Sequence, residues 1–282
     1  MDGIIVVDKP GGISSHDAVQ RVRRLTGIKR VGHLGTLDPI GTGVLPMVVG
    51  KATRLAQFFL KHDRSYEAEL RFGFATDTYD CGGEPTSENV AVQLSAAEME
   101  ALLEEFRGGI VQTPPSISAK KIGGVPAYKL ARKKKPVALE PVNVEVFELA
   151  LLRVEGPVAC LHVRCSAGTY VRSLAHDLGQ RVGVGAHVQT LRRTSMGEFD
   201  IADAFTLDAL GSLRDNGRLE DALVSAERVL PEIPARRVDE ITAAQILHGR
   251  DFHVSAFGAG QGARRIKAID DERMGLRRFF SG

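Results

Sequence analysis

A chain of 282 residues can bury a sizeable core, and a main domain with a smaller companion is the expected division. Charged residues at 26% and apolar residues at 43% exclude a globally disordered chain, while a formal net charge of +2 singles out no polyanionic partner. Cys81, Cys160 and Cys165 lack CxxC spacing, so neither a disulfide framework nor a zinc site is expected, and a reducing compartment fits. The start lacks the basic region and long apolar run of a signal peptide, and no stretch reaches bilayer length. A cytoplasmic protein with no membrane association is the expectation.

In chain order, Ile4-Ile5-Val6-Val7 reads as a short strand ended by Asp8-Lys9-Pro10-Gly11-Gly12. Ser14 or Ser15 can cap a helix from about His16 to Leu25, with Ala18, Val19, Val22 and Leu25 on one face and arginines on the other. Lys9 suits a phosphate contact or an ion pair with a nearby acid. A structural role is preferred, because no Gly-Lys-Ser/Thr follows as a P-loop requires. The stretch Gly32 to Pro46 holds four glycines and two prolines in fifteen residues, a loop of specified path. At its centre Asp38 precedes Pro39, which holds it out of the helical region. A carboxylate on a rigid loop with His33 close by suits catalysis, although composition alone favours an Asp that caps its own turn.

Gly50 to Lys61 reads as a helix. Tyr66 to Phe74 alternates as a strand, with Tyr66, Ala68, Leu70, Phe72 and Phe74 on one face. Residues Thr76 to Asn89 form an acidic, turn-rich loop, in which Asp77 and Asp80 either are functional or only fix their loop, and both are left out of the catalytic set. Ser95 with Glu98 makes a capping box for a helix to about Phe106. The Pro114-Pro115 pair prevents regular structure. A short strand, a Gly123-Gly124 turn, a helix carrying Tyr128 and Leu130, and the basic run to Lys135 follow. Val142 to Val154 and Val158 to Cys165 are two strands around Gly156-Pro157. Thr169 can then cap a helix whose first turn contains Arg172. A cation at a helix N-terminus opposes the dipole, so Arg172 more plausibly answers a specific anion. Leu191 to Phe199 is strand-like, and residues 203 to 230 are helical with a break near Gly217. Leu230 to Pro234 marks a domain boundary. The remaining fifty or so residues suit a small β-rich module, with a helix from Ile241 to Leu247 and strands around Ile266 to Ile269 and Leu276 to Phe280.

Six segments in order resemble the TruB family of bacterial tRNA pseudouridine synthases: Asp8 to Ser15, Gly32 to Pro46, Arg64-Ser65-Tyr66, Gly73 to Thr78, Pro114 to Ala119 and Leu191 to Thr194. Gly168-Thr169-Tyr170-Val171-Arg172 adds to them. The resemblance implies an α+β fold, a mixed and largely antiparallel sheet with flanking helices. It implies a catalytic domain over residues 1–230, with an RNA-binding insertion at about 120–140. A reduced PUA-like module would occupy 231–282, shorter than the family commonly carries.

It further implies isomerisation of uridine 55 in the T-loop of tRNA, without metal or organic cofactor. Asp38 would be the catalytic carboxylate, Tyr66 would stack on the flipped base and is a candidate for handling the proton at the sugar or at C5, and Arg172 would keep Asp38 ionised and oriented. Leu191 would line the base pocket, and His33 would fill the space the nucleotide leaves. Lys9, Lys133 and Lys134 complete the candidate RNA contacts. The expected partner is the tRNA T-arm, with no obligate protein partner and a monomeric state. The alternative is a tRNA-folding chaperone or a binder of T-loop-like RNA. Asp38, Tyr66 and Arg172 together argue against a purely binding role.

Overall fold

The computed structural model describes residues 1–118 and 139–224, with Val229, Ile241 and the backbone of strands at 121–122, 125–126, 235–238, 264–269 and 278–281. Lys133, Lys134, the helix expected to carry Tyr128 and Leu130, and the remainder of the Ile241 to Leu247 helix lie outside the described residues. The chain divides into two compact units, Met1–Ala222 and Leu223–Gly282, a division ahead of the boundary expected near Pro231.

In chain order the first unit contains β1 (Gly3–Lys9), α1 (Ser15–Thr26), β2 (Val31–His33), β3 (Thr42–Val49), α2 (Ala56–Phe59) and β4 (Arg64–Phe72). Then come α3 (Ala96–Glu104), β5 (Gly108–Gln112), the two-residue strands β6 (Lys121–Ile122) and β7 (Val125–Pro126), β8 (Val142–Glu155) and β9 (Val158–Cys165). The unit closes with α4 (Val171–Val182), β10 (Ala186–Met196), β11 (Phe199–Asp200), β12 (Phe205–Thr206) and α5 (Leu207–Asp215). The main sheet runs β12-β1-β3-β10-β4-β9-β8-β5, with β2 paired to β3 and β11 to β10. Only β1–β12 and β3–β10 are parallel among these pairs, so the sheet is mixed and largely antiparallel, as expected. The second unit contains a three-stranded antiparallel sheet of Ala235–Val238, Arg264–Ile269 and Arg278–Ser281. Its first strand, Ala-Arg-Arg-Val, is too short and too basic to alternate visibly.

Local chemistry accounts for most boundaries. Ser14 caps α1 and Asp17 returns the bond, while Ser95 and Glu98 do the same for α3. Each such cap is worth about 1 kcal/mol. On α1 the buried face is Ala18, Val19 and Val22. On β4, Tyr66, Ala68, Leu70 and Phe72 are buried while Glu67 is exposed, the alternation that a half-buried strand demands. Several expectations change: within the stretch 203 to 230, expected to be helical, Phe205–Thr206 and Leu223–Val224 are short strands. Gly50 to Lys61 is a 3-10 turn, Gly50–Leu55, followed by the single turn α2. The Thr53 hydroxyl bonds the Gly50 carbonyl at 2.8 Å, a local bond that competes with the helical ladder. And α4 is capped by Tyr170, not Thr169, whose hydroxyl faces Ser166. The buried Gln112 side chain on β5 does the anchoring: its amide oxygen accepts from the Tyr170 N–H (2.8 Å) and its amide nitrogen donates to the Tyr170 carbonyl (3.0 Å).

The helix α4 packs on β10 and buries Arg172, Ser173, Leu174 and Ala175. Further along it, burial raises the carboxyl of half-buried Asp177 to about 6, above the ordinary aspartate value near 4. The folded chain therefore holds this proton more tightly than the unfolded one, and the stabilisation is lost as pH rises through 4 to 6. Asp177→Asn is accordingly expected to raise the melting temperature at pH 7.5 and to change it little at pH 4.5. Equal shifts at the two pH values in thermal melts would show that desolvation of the anion is not the cause.

Candidate active site

The loop between β2 and β3 presents Asp38. Its carbonyl oxygen accepts from the Gly41 N–H at 3.0 Å and closes the Asp38-Pro39-Ile40-Gly41 turn. Because the backbone closes the turn, the carboxylate is released from the capping role that composition favoured. The path is held from outside. Ser15 Oγ both donates to the Leu37 carbonyl and accepts from its N–H, each at 2.8 Å, and the Gly12 N–H donates to the Pro39 carbonyl at 2.9 Å. At the end of the loop Gly43 has φ 98, and any Cβ there would fall 2.2 Å from the Arg193 carbonyl oxygen. Only glycine lets β3 pass β10 so closely.

Arg172 reaches Asp38 from the first turn of α4. Its Nε donates to Asp38 Oδ2 at 2.9 Å. The other guanidinium nitrogens donate to the Thr78 carbonyl (Nη1, 2.8 Å) and the Ile117 carbonyl (Nη2, 3.0 Å). Nη1 also lies 3.6 Å from Asp80 Oδ2. Asp80 is itself pinned, its Oδ1 accepting from Thr78 Oγ1 at 2.7 Å and the Gly82 N–H at 3.0 Å. The Arg172 side chain is 3% exposed and that of Asp38 30%, so the cation is built in while the carboxylate remains reachable. With Oδ2 on Arg172, Oδ1 is the oxygen left for chemistry.

Both groups line a cavity of about 480 Å³, whose walls also carry Tyr66, Leu191, Arg64 and Tyr170. Strand register explains the grouping. Tyr66 on β4 faces Arg193 on β10, and Ala68 faces Leu191, so these four side chains share one face of the sheet. Arg193 is fully buried behind Tyr66. Its Nε donates to the Val44 carbonyl at 2.7 Å and its Nη2 to the Gly35 carbonyl at 3.1 Å, and its charge acts on the Tyr66 phenol. Burial raises the Tyr66 phenol above its ordinary value, against the pull of the Arg193 cation. At neutral pH Tyr66 is thus a neutral aromatic wall. Among the described residues no group of three His, Cys, Asp or Glu side chains is placed to hold a metal ion.

A model of the TruB family pseudouridylate synthase N-terminal domain matches residues 23–171, and one of the tRNA pseudouridylate synthase B C-terminal domain matches residues 172–231. The chain is 55% identical over 269 residues to the tRNA pseudouridine synthase B of Solibacter usitatus, covering 95% of this chain and 92% of that one. It is 42% identical over 286 residues to the tRNA pseudouridine synthase B of Burkholderia lata, covering 100% of this chain and 88% of its relative. The chain belongs to the TruB family. A solved H/ACA RNP bound to a substrate RNA containing 2'-deoxyuridine is similar in fold, with a TM-score of 0.68 at 24% identity, over 99% of this chain and 83% of that one.

Against this TruB frame, the structure brings Asp38, Tyr66, Arg172 and Leu191 to one cavity. His33 lies outside that lining, on β2 opposite Met47. Burial first, then the charges of Arg193 and His16, lower its imidazole pKa, so it is neutral at neutral pH. Lys9 requires correction as an RNA contact. It is fully buried, and its ammonium donates to the carbonyls of Pro10 (2.7 Å), Ile13 (2.8 Å) and Pro39 (3.5 Å). Burial pulls its pKa down to about 8, with the negative charge of Asp38 pulling the other way. Lys9 is a brace behind the Asp38 loop. Sequence reading also missed three supports of the site: Gln112, Asp80 and Arg193. The one available signal was period-two alternation in Leu191-Arg192-Arg193, which sends Arg193 to the face of Leu191 while Arg192 bonds Asp8 at 2.9 and 3.1 Å.

Lys9→Met would leave the Pro10 and Ile13 carbonyls without this donor, and a loss of roughly 1–3 kcal/mol of stability is expected. The dependence of hairpin binding on salt should stay as in the wild type. If the salt slope instead became shallower by about one unit, Lys9 would be a phosphate contact after all.

Proposed function

We propose that this TruB-family synthase converts uridine 55 in the T-loop of tRNA to pseudouridine, with Asp38 acting on the sugar of a flipped-out nucleotide. The observation that carries the reading is the Asp38–Arg172 pair at 2.9 Å in the wall of a cavity that also holds Tyr66. Volume and lining suit a nucleoside better than a stacked base pair. Flipping costs a few kcal/mol, and stacking on Tyr66 returns roughly 1–3 kcal/mol. The fixed Arg172 leaves Asp38 Oδ1 turned to the substrate, so geometry rather than diffusion positions the base catalyst.

The reaction needs the C–N glycosidic bond broken and a C–C bond made. Asp38 takes the C2′ proton as the base departs with the bonding pair from C1′, leaving a glycal. The base turns within the cavity, C5 bonds to C1′, and Asp38 returns the proton to C2′. Loss of the C5 proton and protonation of N1 complete an isomerisation with no net change in atoms. Tyr66 and Leu191 hold the detached base through the turn.

The protein acts as a cytoplasmic monomer in this reading. Supporting the reducing compartment, all three cysteines are free. The sheet of the second unit has the strand sequences Ala-Arg-Arg-Val, Arg-Arg-Ile-Lys-Ala-Ile and Arg-Phe-Phe-Ser, a basic β composition suited to a reduced PUA-like RNA grip. Lys133 and Lys134 add phosphate contacts from the insertion.

The test is pseudouridine formation at uridine 55 in an unmodified T-arm hairpin and in full-length tRNA. Asp38→Asn should bind both as the wild type does and form product roughly a hundred- to ten-thousand-fold more slowly. Binding without product from the wild type on either RNA would leave the tRNA-folding chaperone as the surviving reading.

A further inference from the structure

Two guanidinium groups line the cavity, and they are in different states. Arg172 is spent on the protein, with Nε, Nη1 and Nη2 all engaged. Arg64 is not. Its Nη1 donates to the His62 carbonyl at 3.1 Å and its Nη2 to the Leu60 carbonyl at 3.5 Å, which leaves further N–H groups of the fork available. Among the described residues no carboxylate pairs with it. The adjacent acid, Asp63, is taken by Arg164 at 3.0 Å. Gly35 makes room for the group, since a Cβ there would lie 3.2 Å from Arg64 Nη2.

The position is as informative as the free charge. Arg64 and Tyr66 are two apart on β4 and share the face that forms the cavity wall. Their Cα atoms are therefore about 6.6 Å apart along the strand, the scale of one nucleotide from phosphate to base. A base stacked on Tyr66 with its sugar toward Asp38 carries a phosphodiester on either side, and Arg64 is the cation of the wall with donors to spare.

We propose that Arg64 forms a phosphate subsite that grips one of the two phosphodiesters flanking the nucleotide whose base stacks on Tyr66. The inference rests on the synthase reading and names the group that holds the flipped nucleotide by its backbone. A planar fork suits this task, because it can hold two phosphate oxygens and so fix the orientation of the sugar.

The experiment uses the full chain and three T-arm hairpins: one all-phosphodiester, and two with a single neutral methylphosphonate, 5′ or 3′ of the target uridine. On the unmodified hairpin, Arg64→Ala should weaken binding and raise KM roughly tenfold or more, the usual size of a lost charge-assisted bond. The slope of log affinity against log salt should become shallower by about one unit. Arg64→Lys should recover part of the affinity. The deciding result is the coupling: on one of the two methylphosphonate hairpins, wild type and Arg64→Ala should differ by less than about twofold. If the full Arg64→Ala defect persists on both methylphosphonates, the phosphate subsite is wrong. Should Arg64→Ala fail to fold, Arg64→Gln removes the charge while keeping a donor for the carbonyls, and the same comparison decides. Failure of the synthase reading looks different, since the wild type would then make no pseudouridine on the unmodified hairpin.

Discussion

A guanidinium taken out of water is tolerable only if the protein supplies it with acceptors, and Arg172 shows how that requirement shapes the site. Three of its nitrogens meet an acceptor within 3.0 Å, and the acceptors come from three separate stretches of chain: Asp38, Thr78 and Ile117. An uncompensated buried charge costs several kcal/mol, so these segments are held wherever the guanidinium is. The carboxylate is thereby fixed by a group that does no chemistry itself. The helix that carries Arg172 is placed in turn by Gln112, which grips both backbone groups of Tyr170. Site and scaffold are thus one hydrogen-bonded structure, running from β5 through α4 to the loop before β3.

The sheet supplies the second constraint. In an antiparallel pair, residues opposite one another point the same way, and a slip of one residue reverses every side chain. The β4–β10 register puts Tyr66 against Arg193 and Ala68 against Leu191, with Arg64 next along the same face. The base-facing surface is therefore set by pairing alone. What distinguishes the members of that face is burial: Arg193 is sealed behind Tyr66, whereas Arg64 stands at the wall with donors unused.

Much of this was legible in the sequence, and the parts that were not have a common cause. Capping boxes, the alternation of β4 and the glycine- and proline-rich loop are local signals, and Ser14, Ser95 and Tyr66 sit as those signals require. The paired strands on either side of Gly156-Pro157 came through equally well, at Val142–Glu155 and Val158–Cys165. The anion expected for Arg172 exists, and it is Asp38. The missed roles are those defined across the fold. Gln112 reads as one polar residue in an edge strand until α4 is folded against it, 58 residues further along. Asp80 was open between a functional and a loop-fixing role; it fixes its loop, and what that loop supports is Arg172, which local sequence does not reveal. Lys9 was misjudged as an RNA contact for a related reason: a lysine beside glycines looks exposed until the Asp38 loop folds over it. The structural role preferred for it on the local sequence holds, although carbonyls rather than an acid receive the ammonium.

The cations of this site divide by what they have left to give. Lys9, Arg193 and Arg172 are buried and their donors are directed at carbonyls and one carboxylate of the protein itself. Their charge remains in the cavity as a fixed field, but their hydrogen bonds are already made. A substrate entering such a site feels positive potential without finding a donor to displace, which favours an anion developing on the departing base while leaving the Asp38 geometry undisturbed. Gripping the RNA backbone is a different task and needs donors that are free before binding. Arg64 meets that condition on the cavity wall. This division follows from burial and saturation rather than from residue type, since three of the four residues are arginine.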